Sequence, residues 1–250
     1  MPTYHLLSHD NGKFQKSNGT SMYMIAGLSL SPASRSGYNV CGHSTDTCRL
    51  FCVADAGGGR WQSAIDARIR KTQMFFQQQD RFADRLSEDI ETFIEHCAQN
   101  GTVPACRLNT FSDLPWERIK MRMALGHGTV IDLYSDRVTF YDYTKYPYFA
   151  RASTDKYHLT YSASGNNTEA CQRALSEGYT AAVVFDTKRK APLPQSYWGH
   201  DVIDGDVDDL RFLDSPGTIV GLRAKHALRT HMDTPFVFSA TEHVTEEVAA

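Results

Sequence analysis

Nothing in the sequence approaches the roughly 20-residue apolar run that a membrane-spanning helix needs. The opening Met1-Pro2-Thr3-Tyr4-His5 lacks a basic stretch followed by an apolar one, so no secretory leader is expected and the cytoplasm is the expected compartment. Charge of one sign is also missing: 26 Lys and Arg stand against 29 Asp and Glu, a net of −3. No positive field therefore draws the chain to a phosphate backbone, and direct DNA binding is not favoured. The motifs GxxxxGK[ST], HExxH and GxSxG are absent. That removes the main entry points to phosphate-loop, zincin and serine-hydrolase chemistry. Six cysteines, unevenly placed, are too sparse for a small disulfide scaffold.

What remains is an ordinary globular composition, 41% hydrophobic and 22% charged over 250 residues, enough chain for a substantial core. Residues 1–21 are polar and are expected as a flexible arm, 22–239 as a single α/β domain, and 240–250 as an acidic tail. Tyr23 to Leu30 reads as the first strand. From about Arg60 to Ala98 the apolar spacing turns helical, with Phe82, Leu86, Ile90, Phe93 and Cys97 on one face. A break is expected at Gln77 to Asp80 and a stop at Asn100-Gly101. Further strands follow at Val103–Leu108, Val138–Tyr141, Tyr157–Tyr161, Thr180–Phe185 and Thr218–Leu222, with helices expected from Pro115 and from Thr168. Near-continuous apolar strands separated by helices belong in a parallel sheet, either open and doubly wound or closed into a barrel. Polar residues after every strand favour a complete or partial β/α barrel, whose sites gather at one rim. Lys188 to Pro216 reads as an excursion, a lid or a short hairpin.

Cys41-x6-Cys48-x3-Cys52 places three soft ligands soon after the first strand. They suit zinc, an iron–sulfur cluster, or simply buried free thiols. Gly57, Gly58 and Gly59 follow, and their bare amides suit close approach by a cofactor or anion. Arg107, Asn109, Ser112 and Asp113 supply a cation, an amide, a hydroxyl and a carboxylate within seven residues. Loop capping explains such a group equally well. Tyr143 and Lys145 alternate after another strand, where a lysine can hold an anion or move a proton. Asn166 lies in a hydrogen-bonding loop before a helix. Asp204 and Asp206 could bind a cation or meet Arg223 and Lys225, which could instead meet a substrate phosphate.

These residues resemble a known family. Ser36-Gly37-Tyr38-Asn39-Val40-Cys41 with Cys48 and Cys52, Arg107-Leu108-Asn109 with Ser112-Asp113, and Tyr141-Asp142-Tyr143-Thr144-Lys145 carry the first half. His158-Leu159-Thr160-Tyr161-Ser162, Val202-Ile203-Asp204-Gly205-Asp206 and Gly221-Leu222-Arg223-Ala224-Lys225 carry the second. Together they are similar to the gene-product-88-like proteins of bacteriophages and bacteria. A more distant resemblance is to radical S-adenosylmethionine enzymes. It implies a β/α barrel with a [4Fe–4S] cluster on Cys41, Cys48 and Cys52, and S-adenosylmethionine on the open iron. The cysteine spacing differs from the x3, x2 pattern usual there. Among the strand-end and loop residues, Gly57, Gly58, Gly59, Asn109, Ser112 and Asn166 are the cofactor-binding candidates, and Arg107, Asp204, Asp206, Arg223 and Lys225 the substrate-binding ones. Lys145, Tyr143 and Asp113 are the catalytic candidates. The expected substrate is a small molecule or nucleotide in the host cytoplasm. The alternatives are a non-radical barrel enzyme with structural zinc, or a protein that binds a ligand or host factor without turnover.

Overall fold

The computed structural model describes residues 5–9, 12–19 and 21–241. The chain begins with β1 (Leu7–Ser8), α1 (Gly12–Asn18) and β2 (Tyr23–Leu28). A short α2 (Asp46–Leu50) follows, then α3 (Gln62–Gln77) and α4 (Gln79–Gln99), β3 (Val103–Arg107), the hairpin β4 (Lys120–Met123) and β5 (Gly126–Thr129), and α5 (Val130–Tyr134). The remainder is β6 (Thr139–Thr144), β7 (Tyr157–Ser162), α6 (Thr168–Ser176), β8 (Thr180–Phe185), β9 (Ser196–Tyr197), β10 (His200–Asp204) and β11 (Ile219–Arg223). The fold is mixed α/β with mostly parallel strands.

Two compact units divide the chain. The first takes the chain up to Gly42, Ala54–Asp142 and Thr154–His158; the second takes His43–Val53, Tyr143–Ser153 and everything from Leu159. The expected domain 22–239 thus spans parts of both.

In the first unit β3 lies between β2 and β6, parallel to both, and β1 adds an antiparallel edge. The buried stripe of α4 (Phe82, Leu86, Ile90, Phe93, Cys97) is the one its periodicity predicts. Helix α3 stops where expected, at Gln78, whose backbone leaves the helical region (φ −140, ψ 57). Gly101, at φ +64, closes α4 in the left-handed conformation glycine tolerates. Where a loose N-terminal arm is expected, β1 and α1 stand instead, with Leu6 and Phe14 buried. The helix expected from Pro115 is corrected to a turn and the β4–β5 hairpin. Trp116 is drawn fully inside, and buried Met121 and Met123 alternate with exposed Lys120 and Arg122. That alternation is the period of a strand, and it overrides the proline signal.

In the second unit the order is β7-β8-β11-β10-β9, parallel as far as β10, with β9 turned back as a hairpin. Part of the predicted excursion is this β9–β10 hairpin. Among the described residues neither β1 nor β9 gains a second strand neighbour. Of the expected acidic tail only Ala240 and Thr241 fall among the described residues.

Candidate functional site

In a parallel sheet all strands point the same way, so the residues just past their C-terminal ends share one edge. In the first unit this edge carries Arg107, Asn109, Ser112 and Asp113, all buried, after β3. The Asn109 Oδ1 accepts from Ser112 Oγ (2.8 Å), the Leu114 amide (2.9 Å) and Trp116 Nε1 (3.1 Å). Its Nδ2 donates to the Leu114 carbonyl (2.9 Å) and the Tyr157 hydroxyl (3.2 Å). Asp142, without solvent exposure, accepts from the Asn109 amide (2.9 Å) and from Tyr157 Oη (2.6 Å), and lies 3.8 Å from Arg107 Nε. Every polar atom of the Asn109 side chain is engaged inside the protein. Asn109 and Ser112 thus hold this loop in shape. The Asp113 amide donates to the Val40 carbonyl (2.7 Å) and the Cys41 thiol reaches the Phe111 carbonyl (3.5 Å), which stitches this loop to the one bearing Cys41.

The second unit gathers the remaining candidates at the same kind of edge. Lys145 Nζ donates to Ser162 Oγ, the last residue of β7, at 2.8 Å, and lies 4.9 Å from the centre of the Phe236 ring. At the C-terminal ends of β10 and β11 the four expected substrate residues meet as an ion-pair cluster. Arg223 reaches Asp204 (2.8 Å) and Asp206 (3.2 Å), and Lys225 reaches Asp206 (2.6 Å). Arg223 also donates twice to the Ala191 carbonyl, at 3.0 and 2.9 Å. The Arg223 hydrogen bond holds the Asp204 carboxyl below its usual range. At Asp206 burial works upward, but Lys225 and Arg223 together outweigh it and the carboxyl is lowered too. Such a cluster can hold its own shape and still offer a cation and a carboxylate to a polar ligand. Asn166 bonds Ser164 Oγ (2.9 Å) in the loop before α6, while Asn167 ties Ser164 and the Ser162 carbonyl. Burial pulls down the basicity of Arg211, but the Asp214, Asp208 and Asp209 carboxylates, with Tyr143 close by, outweigh it and the guanidinium is raised.

The cysteines divide by environment. Cys97, Cys106 and Cys171 are buried, and burial pushes all three thiols up, Cys171 to about 11. They are inert packing groups. Cys41, Cys48 and Cys52 are partly exposed. Cys41 belongs to the first unit, Cys48 and Cys52 to the second. The Thr45 hydroxyl caps α2 by accepting from the Cys48 amide at 3.1 Å. Among the described residues no three His, Cys, Asp or Glu side chains gather as a metal group.

The triple glycine has a local reason. A Cβ on Gly59 would stand 2.4 Å from the Ala54 carbonyl oxygen, and Arg68 Nη2 donates to the Gly59 carbonyl at 2.7 Å. Close backbone packing therefore accounts for Gly59, and Gly57 sits at φ +52.

Asp142 and Tyr157 were not foreseen as site framework. Asp142 sits within an apolar run of strand type, and a carboxylate in such a run is a signal that it is paired. Arg211, also buried, is paired with Asp208 (2.7 Å) and Asp214 (3.4 Å). No helix among the described residues is long and apolar enough to cross a membrane.

A family model described as Gene product 88 matches residues 5–240. No curated protein matches the chain significantly. No solved structure does so either.

Proposed function

The chain belongs to the Gene product 88 family, and on that premise we propose that it is an α/β enzyme acting on a small polar molecule or nucleotide at the C-terminal ends of its parallel strands. The observation that carries this reading is the placement of Lys145 on Ser162, at the end of β7, in the same unit as the Arg223–Asp204–Asp206–Lys225 cluster at the C-terminal ends of β10 and β11. Sequential winding supports it as well. β2, β3 and β6 lie side by side in chain order, as do β7 and β8, which is how a partial β/α barrel is wound. In this reading Lys145 holds an anionic group of the ligand or moves a proton at its Nζ. Arg223 and Lys225 orient the rest through the acids that already fix them. Within the first unit Asn109 and Ser112 keep the loop after β3, which bears the Asp113 carboxylate, in place; within the second, Tyr143 supplies a hydroxyl.

Thermal unfolding with adenosine monophosphate and, separately, S-adenosylmethionine as probes tests the reading. A ligand at a hundred times its Kd stabilises by about 2.7 kcal/mol. One of the two probes raises the midpoint of the wild type, and Lys145→Met abolishes that rise while keeping the unliganded midpoint. A rise that survives Lys145→Met, or no rise with either probe, overturns the assignment. Binding that depends on Lys145 but with no turnover of the probe would leave a ligand-binding protein.

A second reading, an iron–sulfur enzyme of the radical S-adenosylmethionine type, is favoured by the partial exposure of the three cysteines Cys41, Cys48 and Cys52. Cys48 lies in α2 and Cys52 follows just beyond its C-cap residue Phe51. These thiols would hold a [4Fe–4S] cluster, or zinc in the non-radical version. A metal requires the thiolate, so loading would release the Cys41 thiol from the Phe111 carbonyl.

A further inference from the structure

The run from Thr234 to Thr241 lies across the C-terminal ends of strands in the second unit. Phe238 extends the β8 ladder: it bridges Phe185 in parallel, its amide donates to the Val184 carbonyl (2.8 Å), and its carbonyl accepts from the Asp186 amide (3.0 Å). The Ala240 amide donates to the Asp186 carboxylate at 2.9 Å. At the other end Pro235 rests on Gly165, where a Cβ would stand 2.3 Å from the Pro235 carbonyl oxygen. Gly165 has φ +80, so both the contact and the conformation call for glycine. Between these two anchors Phe236 lays its ring over Lys145 Nζ.

We propose that residues 234–241 form a strap that covers Lys145 and must lift before a ligand reaches it. This rests on the reading of Lys145 as part of the strand-end site. The attachments are of the kind that open locally. A few backbone hydrogen bonds and one side-chain latch hold the strap, and Phe236, Val237 and Phe238 remain half-exposed. Segments with few buried apolar contacts open at far lower cost than a core strand. Phe236 also has a reason to return, since an aromatic face attracts the ammonium. Phe238 finds edge-on packing against Trp198, at 5.4 Å between ring centres, which fixes where the strap closes.

The test measures access to Lys145 with no ligand present. The full chain is pulsed with acetic anhydride and acetylation is read lysine by lysine by peptide mass spectrometry. Exposed Lys190 is the reference, and Lys71, bonded to the Leu6 carbonyl, reports global unfolding. Phe236→Ala raises Lys145 acetylation about fivefold or more relative to Lys190, with Lys71 unchanged, as local opening requires. Asp186→Ala, which loses only the latch to Ala240, shifts Lys145 in the same direction. If neither variant changes the Lys145 rate relative to Lys190, or if Lys71 rises in step with it, there is no strap. Because no ligand enters this measurement, a strap confirmed alongside a failed probe-binding test would overturn the proposed function alone.

Discussion

Asn109 engages three donors and two acceptors with a single amide, so its removal strands several buried groups at once. Each buried polar group left without a partner costs roughly 1–3 kcal/mol. Asn109→Ala is therefore expected to lower unfolding free energy by about 3 kcal/mol in urea titration, since its partners can relax only in part. Ser112→Ala, which loses one hydroxyl at the rim of the same knot, is expected to cost about 1 kcal/mol. A small loss at Asn109, accompanied by loss of probe binding, would return it to a ligand-facing role. At this scale the sequence reveals residue type and position after a strand, and that located Arg107, Asn109 and Ser112. It does not reveal their partner, because Asp142 lies 33 residues further on and only the fold brings it to the Asn109 amide. The same holds for Asp204, Asp206, Arg223 and Lys225. Their types suggested either a ligand or each other, and the fold shows that they meet each other.

Elements were legible where their period was long. Helix α4 keeps its three-and-four spacing across 21 residues, and no local signal competes with it. After β3 the proline at 115 carried too much weight, because a start signal says nothing about the four-residue alternation that follows. The triple glycine after α2 shows how one motif can serve separate purposes. At Gly58 a Cβ would meet nothing nearer than the Trp61 ring at 3.7 Å, an ordinary contact, whereas at Gly59 it would overlap the Ala54 carbonyl. Gly59→Ala is thus expected to destabilise by about 1–3 kcal/mol and Gly58→Ala by less than about 0.5, both read from thermal unfolding. Equal and small effects, with loss of cofactor or probe binding in both, would favour a binding turn over a packing turn.

For the molecule as a whole, the α/β class and the parallel strands followed from apolar runs alternating with helices, and β2, β3, β6, β7, β8 and β11 all stand where those runs lie. Strand order was not legible, since nothing local tells β11 to settle between β8 and β10. The division into two units was hidden for the same reason: Cys41 and Cys48 are seven residues apart in the chain and fall in different units. Whether the thiols take a metal is a property of the intact chain. Protein purified without oxygen is assayed for iron, zinc and acid-labile sulfide, with Cys48→Ser and Cys52→Ser alongside. Iron with matching sulfide, lost in both variants, supports the iron–sulfur reading; zinc without sulfide replaces it with the non-radical one; neither metal removes both. Two sheet edges, one in each unit, carry a different consequence. β1 and β9 are two residues long, and the Asp89 carboxylate takes the amides of Leu6 and Leu7. A parallel ladder left bare would template further strands from other copies of the chain. Stubs this short, one with its neighbouring donors already occupied, offer almost nothing to copy, and so guard these two edges against edge-to-edge pairing at high concentration.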